Sequence, residues 1–150
     1  MLLASLQNQN ASFEIVLIDN TKNKYSSAAS ALNDGARKAS GEYLVFAHQD
    51  ITFQDINFLS NITYYIDRTS GIIGVAGIKD DSGVITNLTQ GELNKPGGEI
   101  NIDKPVNVQT LDEVLIAIHR DVFEKLWFDE ELCDDWHYHV KKCCPAMGLD

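Results

Sequence analysis

The chain is poor in positive charge, in cysteine and in long apolar runs. Twelve Lys and Arg stand against 22 Asp and Glu, for a net charge of −10. That deficit argues against a nucleic-acid groove or an anionic membrane surface as the main partner. Any phosphate-bearing ligand therefore needs local help, from a metal ion or from backbone amides. No apolar run approaches the length that spans a bilayer. Met1-Leu2-Leu3-Ala4 is too short, and lacks the basic flank, for a secretory signal. The sequons at Asn10, Asn61 and Asn87 accordingly carry no weight. A glycine-rich, basic phosphate loop is also missing, which argues against a nucleotidyltransferase. The three cysteines, Cys133, Cys143 and Cys144, are odd in number and crowded at one end. Sequence neighbours rarely pair and the spacing is no zinc pattern, so reduced thiols in a cytoplasmic protein are expected.

The remainder is ordinary globular material. With 150 residues, 44% hydrophobic and 23% charged, the chain reads as one domain over residues 1–150 with a real core. Met1–Gln9 predicts the end of a helix. Phe13–Ile18, apolar and β-branched, predicts a buried strand closed by Asp19 and Asn20. Tyr25–Ser40 predicts a helix, with Ser26 and Ser27 as caps and a stripe of small residues that can lie close on a sheet. Gly41 then supplies its stop. Phe58, Leu59, Ile62, Tyr65 and Ile66 form the apolar stripe of a second helix within Phe53–Arg68. Gly71–Ile78 predicts a strand whose glycines imply close approach of a neighbour. Asp80–Gly83 turns into a hairpin with Val84–Leu88, and Gly91–Pro105, with two of the three prolines, reads as a loop. Strands over Val106–Thr110 and Val114–Ile118, separated by Leu111-Asp112-Glu113, lead to a short helix over His119–Leu126.

The stretch Gly41–Asp50, GEYLVFAHQD, carries the most information. Tyr43–Ala47 is a continuous apolar run too short for a buried helix, so it predicts a strand covered on both faces. Composition then flips to His48-Gln49-Asp50. Ligands in open α/β sheets bind beyond the carboxyl ends of strands. An imidazole and a carboxylate two residues apart reach one side of an extended turn. Together they can hold a divalent cation, which in turn can hold a diphosphate. A strand that simply ends in a polar turn is the competing account of a lone H-x-D.

VLIDN, ALNDGARKASGEYLVF and HQD follow one another over Glu14–Asp50 and resemble the front half of glycosyltransferase family 2, the GT-A fold. HQD in place of D-x-D resembles a glycosyltransferase-like branch of that family. Leu111-Asp112-Glu113-Val114, Arg120 with Phe123, Phe128-Asp129-Glu130 and Trp136-His137 resemble its second half. The resemblance implies an α/β fold with a mixed, largely parallel sheet flanked by helices. It implies metal-dependent transfer of a sugar from a nucleotide sugar, a uridine diphosphate sugar in first place, to an unknown acceptor. Mn2+ or Mg2+ would sit by Asp50 and His48. Asp19, with Asn20, would contact the uracil or ribose. Asp135, then Asp134, would supply the base, and His137 a metal ligand, a base or only a polar neighbour. Bland accounts stand beside these: Asp19 satisfying loop amides, and Asp134-Asp135 capping a last helix.

Two departures from the family pattern matter. The opening strand is missing, although Ala4–Gln9 resembles the helix that follows it, so the chain reads as truncated at both ends. Lys142 stands where the family has a later aspartate, and Pro145 would disturb a helix over Lys141–Met147. A noncatalytic remnant that binds a nucleotide sugar or assembles with a partner is therefore the alternative function. A missing strand also predicts either that Phe13–Ile18 and Tyr43–Ala47 close up, or that another copy fills the gap as a homo-oligomer.

Overall fold

The structure is a computed structural model that describes residues 2–69, 71–79, 83–91, 94–100 and 104–136. Its helices are α1 (Leu2–Leu6), α2 (Ala28–Lys38), α3 (Phe58–Thr69) and α4 (Arg120–Leu126). The strands are β1 (Tyr43–Ala47), β2 (Ile72–Gly74), β3 (Ala76–Ile78), β4 (Val84–Thr86), β5 (Thr89–Gln90), β6 (Lys95–Pro96), β7 (Glu99–Ile100), β8 (Thr110–Leu111) and β9 (Leu115–His119). They form a three-stranded sheet in the order β1-β9-β2, a four-stranded sheet β7-β4-β3-β8, and the pair β5-β6.

The central sheet explains why two runs in the sequence are apolar throughout. β9 lies between β1 and β2, with Val45 opposite Ala117 and Ile73 also opposite Ala117. Side chains alternate across a pleated strand. On one face Leu44, Phe46, Ile116 and Ile118 pack with Ala28, Ala29 and Ala36 of α2 and Phe123 of α4. On the other, Leu115 and Ala117 pack with Ile62 and Ile66 of α3, joined by Val45 and Ala47. Helices on both faces leave no room for a polar side. Phe46, Phe123 and Phe128 meet with ring centroids 5.1–5.3 Å apart, tilted pairs worth about 0.5–1.5 kcal/mol each beyond their burial.

The fold is mixed α/β, and the largely parallel sheet expected from the sequence is not what the described strands form. β1 and β2 both run antiparallel to β9, and β4–β7 is the one parallel pairing among the described residues. The apolar runs reported burial on two faces, and helices on both sides bury a strand whatever its neighbour's direction.

Phe13–Ile18 is a second correction. It lies outside any strand and makes no ladder, and Phe13, Ile15 and Leu17 are exposed. Ile18 lies against Gly35 of α2, and the segment neither pairs with β1 nor becomes a strand. Glu14 pins it there. Oε1 accepts from the N–H of Ser40 and Gly41 and from Ser40 Oγ. Gly41 is not the helix stop. α2 ends at Lys38, and Gly41 is held in the turn beyond, where Arg120 Nε donates to its carbonyl at 2.8 Å. Ser27 is the cap of α2, its Oγ accepting from Ser30 N–H at 3.2 Å.

Gly71–Ile78 divides into β2 and β3 in different sheets. Its glycines do mark close approach: a Cβ on Gly74 would lie 2.9 Å from Leu111 Cδ2, and one on Gly77 2.5 Å from Thr110 O. Only Thr110 of Val106–Thr110 is in a strand, paired as β8 together with Leu111. Gly91–Pro105 contains the short strands β6 and β7. Cys133 is buried and disulfide-bonded, against the expectation of reduced thiols. An odd cysteine count does not keep any one thiol reduced. The thiol argument for a cytoplasmic setting loses its footing at this residue. Cys143, Cys144, His137, Asp80, Asp81, Ser82 and the Lys141–Met147 segment lie outside the described residues.

Candidate functional site

Helix α2 enters β1 through a short turn, so the start of α2 lies at the carboxyl end of β1. A cleft of about 890 Å³ opens along this hairpin-like unit, between β1 and residues 11–18. Its floor is apolar: Ala31, Leu32 and Ala36 of α2, Leu59 of α3, and Leu44 and Phe46 of β1. Its polar end carries His48, Gln49, Asp50, Glu113, Trp136 and Ala28, the first residue of α2.

His48 and Asp50 both line the cleft, as does Gln49 between them. The backbone N–H of His48 donates to Val114 O at 3.0 Å, so the end of β1 is tied to the turn before β9. His48 is half-buried and Asp50 exposed. Among the described residues no group of three or more His, Cys, Asp or Glu is placed to hold a metal ion. Two donors fit only a cation that completes its shell with phosphate oxygens and water, which is how Mg2+ commonly sits on nucleotides.

Asp135 reaches the same end through its backbone. Its carbonyl accepts from Ala28 N–H at 3.2 Å, one of the amides that a helix start leaves without an internal partner. Its carboxylate accepts from Trp136 N–H at 2.7 Å. Asp134 and Asp135 are both exposed, and neither is among the lining residues. His137 lies outside the described residues.

Asp19 and Asn20 are placed differently. Asp19 Oδ1 accepts from Thr21 N–H at 2.8 Å, and these bonds hold its carboxyl below the usual range. Asn20 exchanges two bonds with Tyr25, Oδ1 accepting from its N–H at 2.8 Å and Nδ2 donating to its carbonyl at 3.1 Å. Its amide shapes the loop that presents Asp19. Neither residue lines the cleft, although Ile18 does.

Two lining residues were given no role by the sequence. Glu113 and Trp136 both sit inside quoted motifs, LDEV and WH, yet nothing in their spacing says that the turn before β9 and the segment after Cys133 meet at the end of β1. Trp136, 43% exposed, is among the residues that line the cleft.

No helix among the described residues is long and apolar enough to cross a membrane. No curated protein and no solved structure matches the chain. A family model described as "Glycosyltransferase like family" matches residues 3–148. Nearly the whole chain is covered, its HQD and FDE segments included, and the protein belongs to that glycosyltransferase-like family.

Proposed function

We propose that the protein moves a sugar from a nucleotide-sugar donor, a uridine diphosphate sugar in first place, to an acceptor hydroxyl, on a fold of GT-A type. The observation that carries this reading is the convergence of His48, Asp50, Trp136 and the α2 start on one end of one cleft. His48 and Asp50 would hold Mn2+ or Mg2+. When bound, the cation supplies positive charge to the leaving diphosphate.

The chain's own residues do the rest. The start of α2 favours negative charge through its dipole, although Ala28 N–H is already taken by Asp135 O and Ser30 N–H by Ser27 Oγ. Asp19 and Asn20 are the groups on the nucleoside side, with Asn20 fixing the loop. Transfer breaks the bond between the anomeric carbon and the diphosphate and forms one to the acceptor oxygen. For an inverting reaction the acceptor proton passes to a carboxylate, Asp135 in first place and Asp134 next; His137 is the further candidate. A base must come within hydrogen-bond reach of that hydroxyl, which asks the Asp135 carboxylate to exchange Trp136 N–H for the acceptor.

One observation favours the noncatalytic alternative. Asp19 and Asn20 are engaged within their own loop and stand outside the cleft lining. Hydrolysis of uridine diphosphate sugars with Mn2+ or Mg2+ present decides between the two. Turnover supports the transferase, and binding without turnover supports the remnant.

A further inference from the structure

Four carboxylates line the cleft: Glu14, Glu42, Asp50 and Glu113. Two of them belong to its far end. Glu14 Oε1 is bonded to Ser40 and Gly41, and Glu42 faces His119 Nε2 at 3.3 Å, all around the amino end of β1. The five residues of β1, at about 3.3 Å each, separate that end from His48. Asp50 is the carboxylate proposed for the cation. Glu113 is the lining carboxylate left at the polar end.

Backbone bonds fix where Glu113 stands. Val114 O, next in the chain, accepts from His48 N–H at 3.0 Å, and Leu115 is opposite Ala47 in the ladder. On the other side Asp112 N–H donates to Ala76 O at 3.0 Å, while Asp112 Oδ1 accepts from Val114 N–H at 3.0 Å. The turn that carries Glu113 is thus tied to both β1 and β3, and Glu113 itself is half-buried. Backbone held in this way places a side chain before a substrate arrives. Glu113 does not complete a cation site with His48 and Asp50, since no three such donors are grouped among the described residues.

We propose that Glu113 is the catalytic base, the group that takes the proton of the acceptor hydroxyl. The proposal rests on the transferase reading, with inversion at the anomeric carbon. As the acceptor oxygen bonds to that carbon, its proton passes to a Glu113 carboxylate oxygen. The electron pair of the breaking C–O bond leaves with the diphosphate. Asp135 is the weaker choice on position: it is exposed, stands outside the lining, and its carboxylate accepts from Trp136 N–H at 2.7 Å.

The test uses the full chain, Mn2+, and whichever uridine diphosphate sugar the wild type hydrolyses fastest, with water as the acceptor. Release of uridine diphosphate reads turnover, and calorimetry reads its Mn2+-dependent binding. Glu113→Gln should lower turnover about 10²–10⁴-fold, the usual contribution of a positioned base, and leave binding unchanged. Azide has no proton to give up, so adding it should restore donor consumption in Glu113→Ala and yield a glycosyl azide. A variant inactive because it is misfolded would not be rescued. Full turnover in Glu113→Gln overturns the proposal, above all if Asp135→Asn is the variant that fails. Loss of uridine diphosphate binding in Glu113→Gln, or inactivity of Glu113→Ala that azide does not relieve, overturns it as well. A wild type that binds uridine diphosphate but hydrolyses no donor sinks the transferase reading, and this role with it.

Discussion

Asn33 and Phe128, 95 residues apart in the chain, bond side chain to backbone as two strands would. Asn33 Nδ2 donates to Phe128 O at 2.9 Å, and Phe128 N–H donates to Asn33 Oδ1 at 3.1 Å. Asn33 is 2% exposed, and its Nδ2 also donates to Glu130 Oε1 at 2.8 Å. One amide therefore joins the middle of α2 to the FDE segment. That junction sets where the chain leading to Asp135 and Trp136 starts.

Asn33→Ala should cost roughly 1–3 kcal/mol, the usual range when a buried hydrogen-bonding partner is removed. The loss should appear as a lower urea midpoint with an unchanged slope. Asn33→Asp should be no milder, since a carboxylate cannot donate to Phe128 O and adds a negative charge beside Glu130. Wild-type stability in either variant would show that α2 and the FDE segment are held by packing alone.

Glu14 should titrate where its bonds to Ser40 and Gly41 place it. Those bonds hold its carboxyl below the usual 4.5. A lowered folded-state value means the clasp stabilises the fold above the ordinary carboxylate range and is lost as pH falls through the lowered value. The Gly41 amide resonance should therefore move in the acid limb below about 4.5. Glu14→Gln keeps an acceptor oxygen and removes the charge, so that movement should vanish. An unchanged titration of Gly41 in Glu14→Gln would assign it to another group.

Gly77→Ala should destabilise by about 1–3 kcal/mol, as overpacking does, because the new Cβ would sit 2.5 Å from Thr110 O and 2.8 Å from Val108 Cγ2. Backbone and a β-branched side chain have little freedom to give way. Gly71→Ala meets nothing nearer than Thr69 O at 3.7 Å and should be tolerated. Thermal melts of the two variants make the comparison. Equal effects would mean the β3–β8 approach relaxes on its own.

Asp50→Ala should abolish Mn2+-dependent binding of uridine diphosphate and leave the melting curve intact, since Asp50 is exposed at a strand end. Asp19→Ala should weaken that binding about tenfold, corresponding to about 1.4 kcal/mol. Calorimetric titration with and without Mn2+ reads both. Indifference to Asp19→Ala would leave that residue with its loop role alone.

Local pattern was enough for several elements. The apolar runs Tyr43–Ala47 and Leu115–Ile118, the capped small-residue helix α2 and the stripe of α3 were legible because burial on one face or two is written into residue periodicity. The polar turn His48–Asp50 at the end of Tyr43–Ala47 was legible as well, because the change of composition marks where the strand stops. Sequence order also carried the glycosyltransferase-like likeness, as motifs spread over most of the chain. Strand direction was not legible, because an apolar run records how many faces are covered and not which way its neighbour runs. β9 therefore turned the central sheet antiparallel unannounced. The fate of Phe13–Ile18 depended on what lies beside it: an apolar β-branched run forms a ladder only if an edge is offered, and here Glu14 ties the segment to the turn before β1 without any strand pairing. Glu113 and Trp136 reached the cleft, and Asn33 reached Phe128, through contacts between distant segments. Those contacts are products of the packed chain, and no local spacing encodes them.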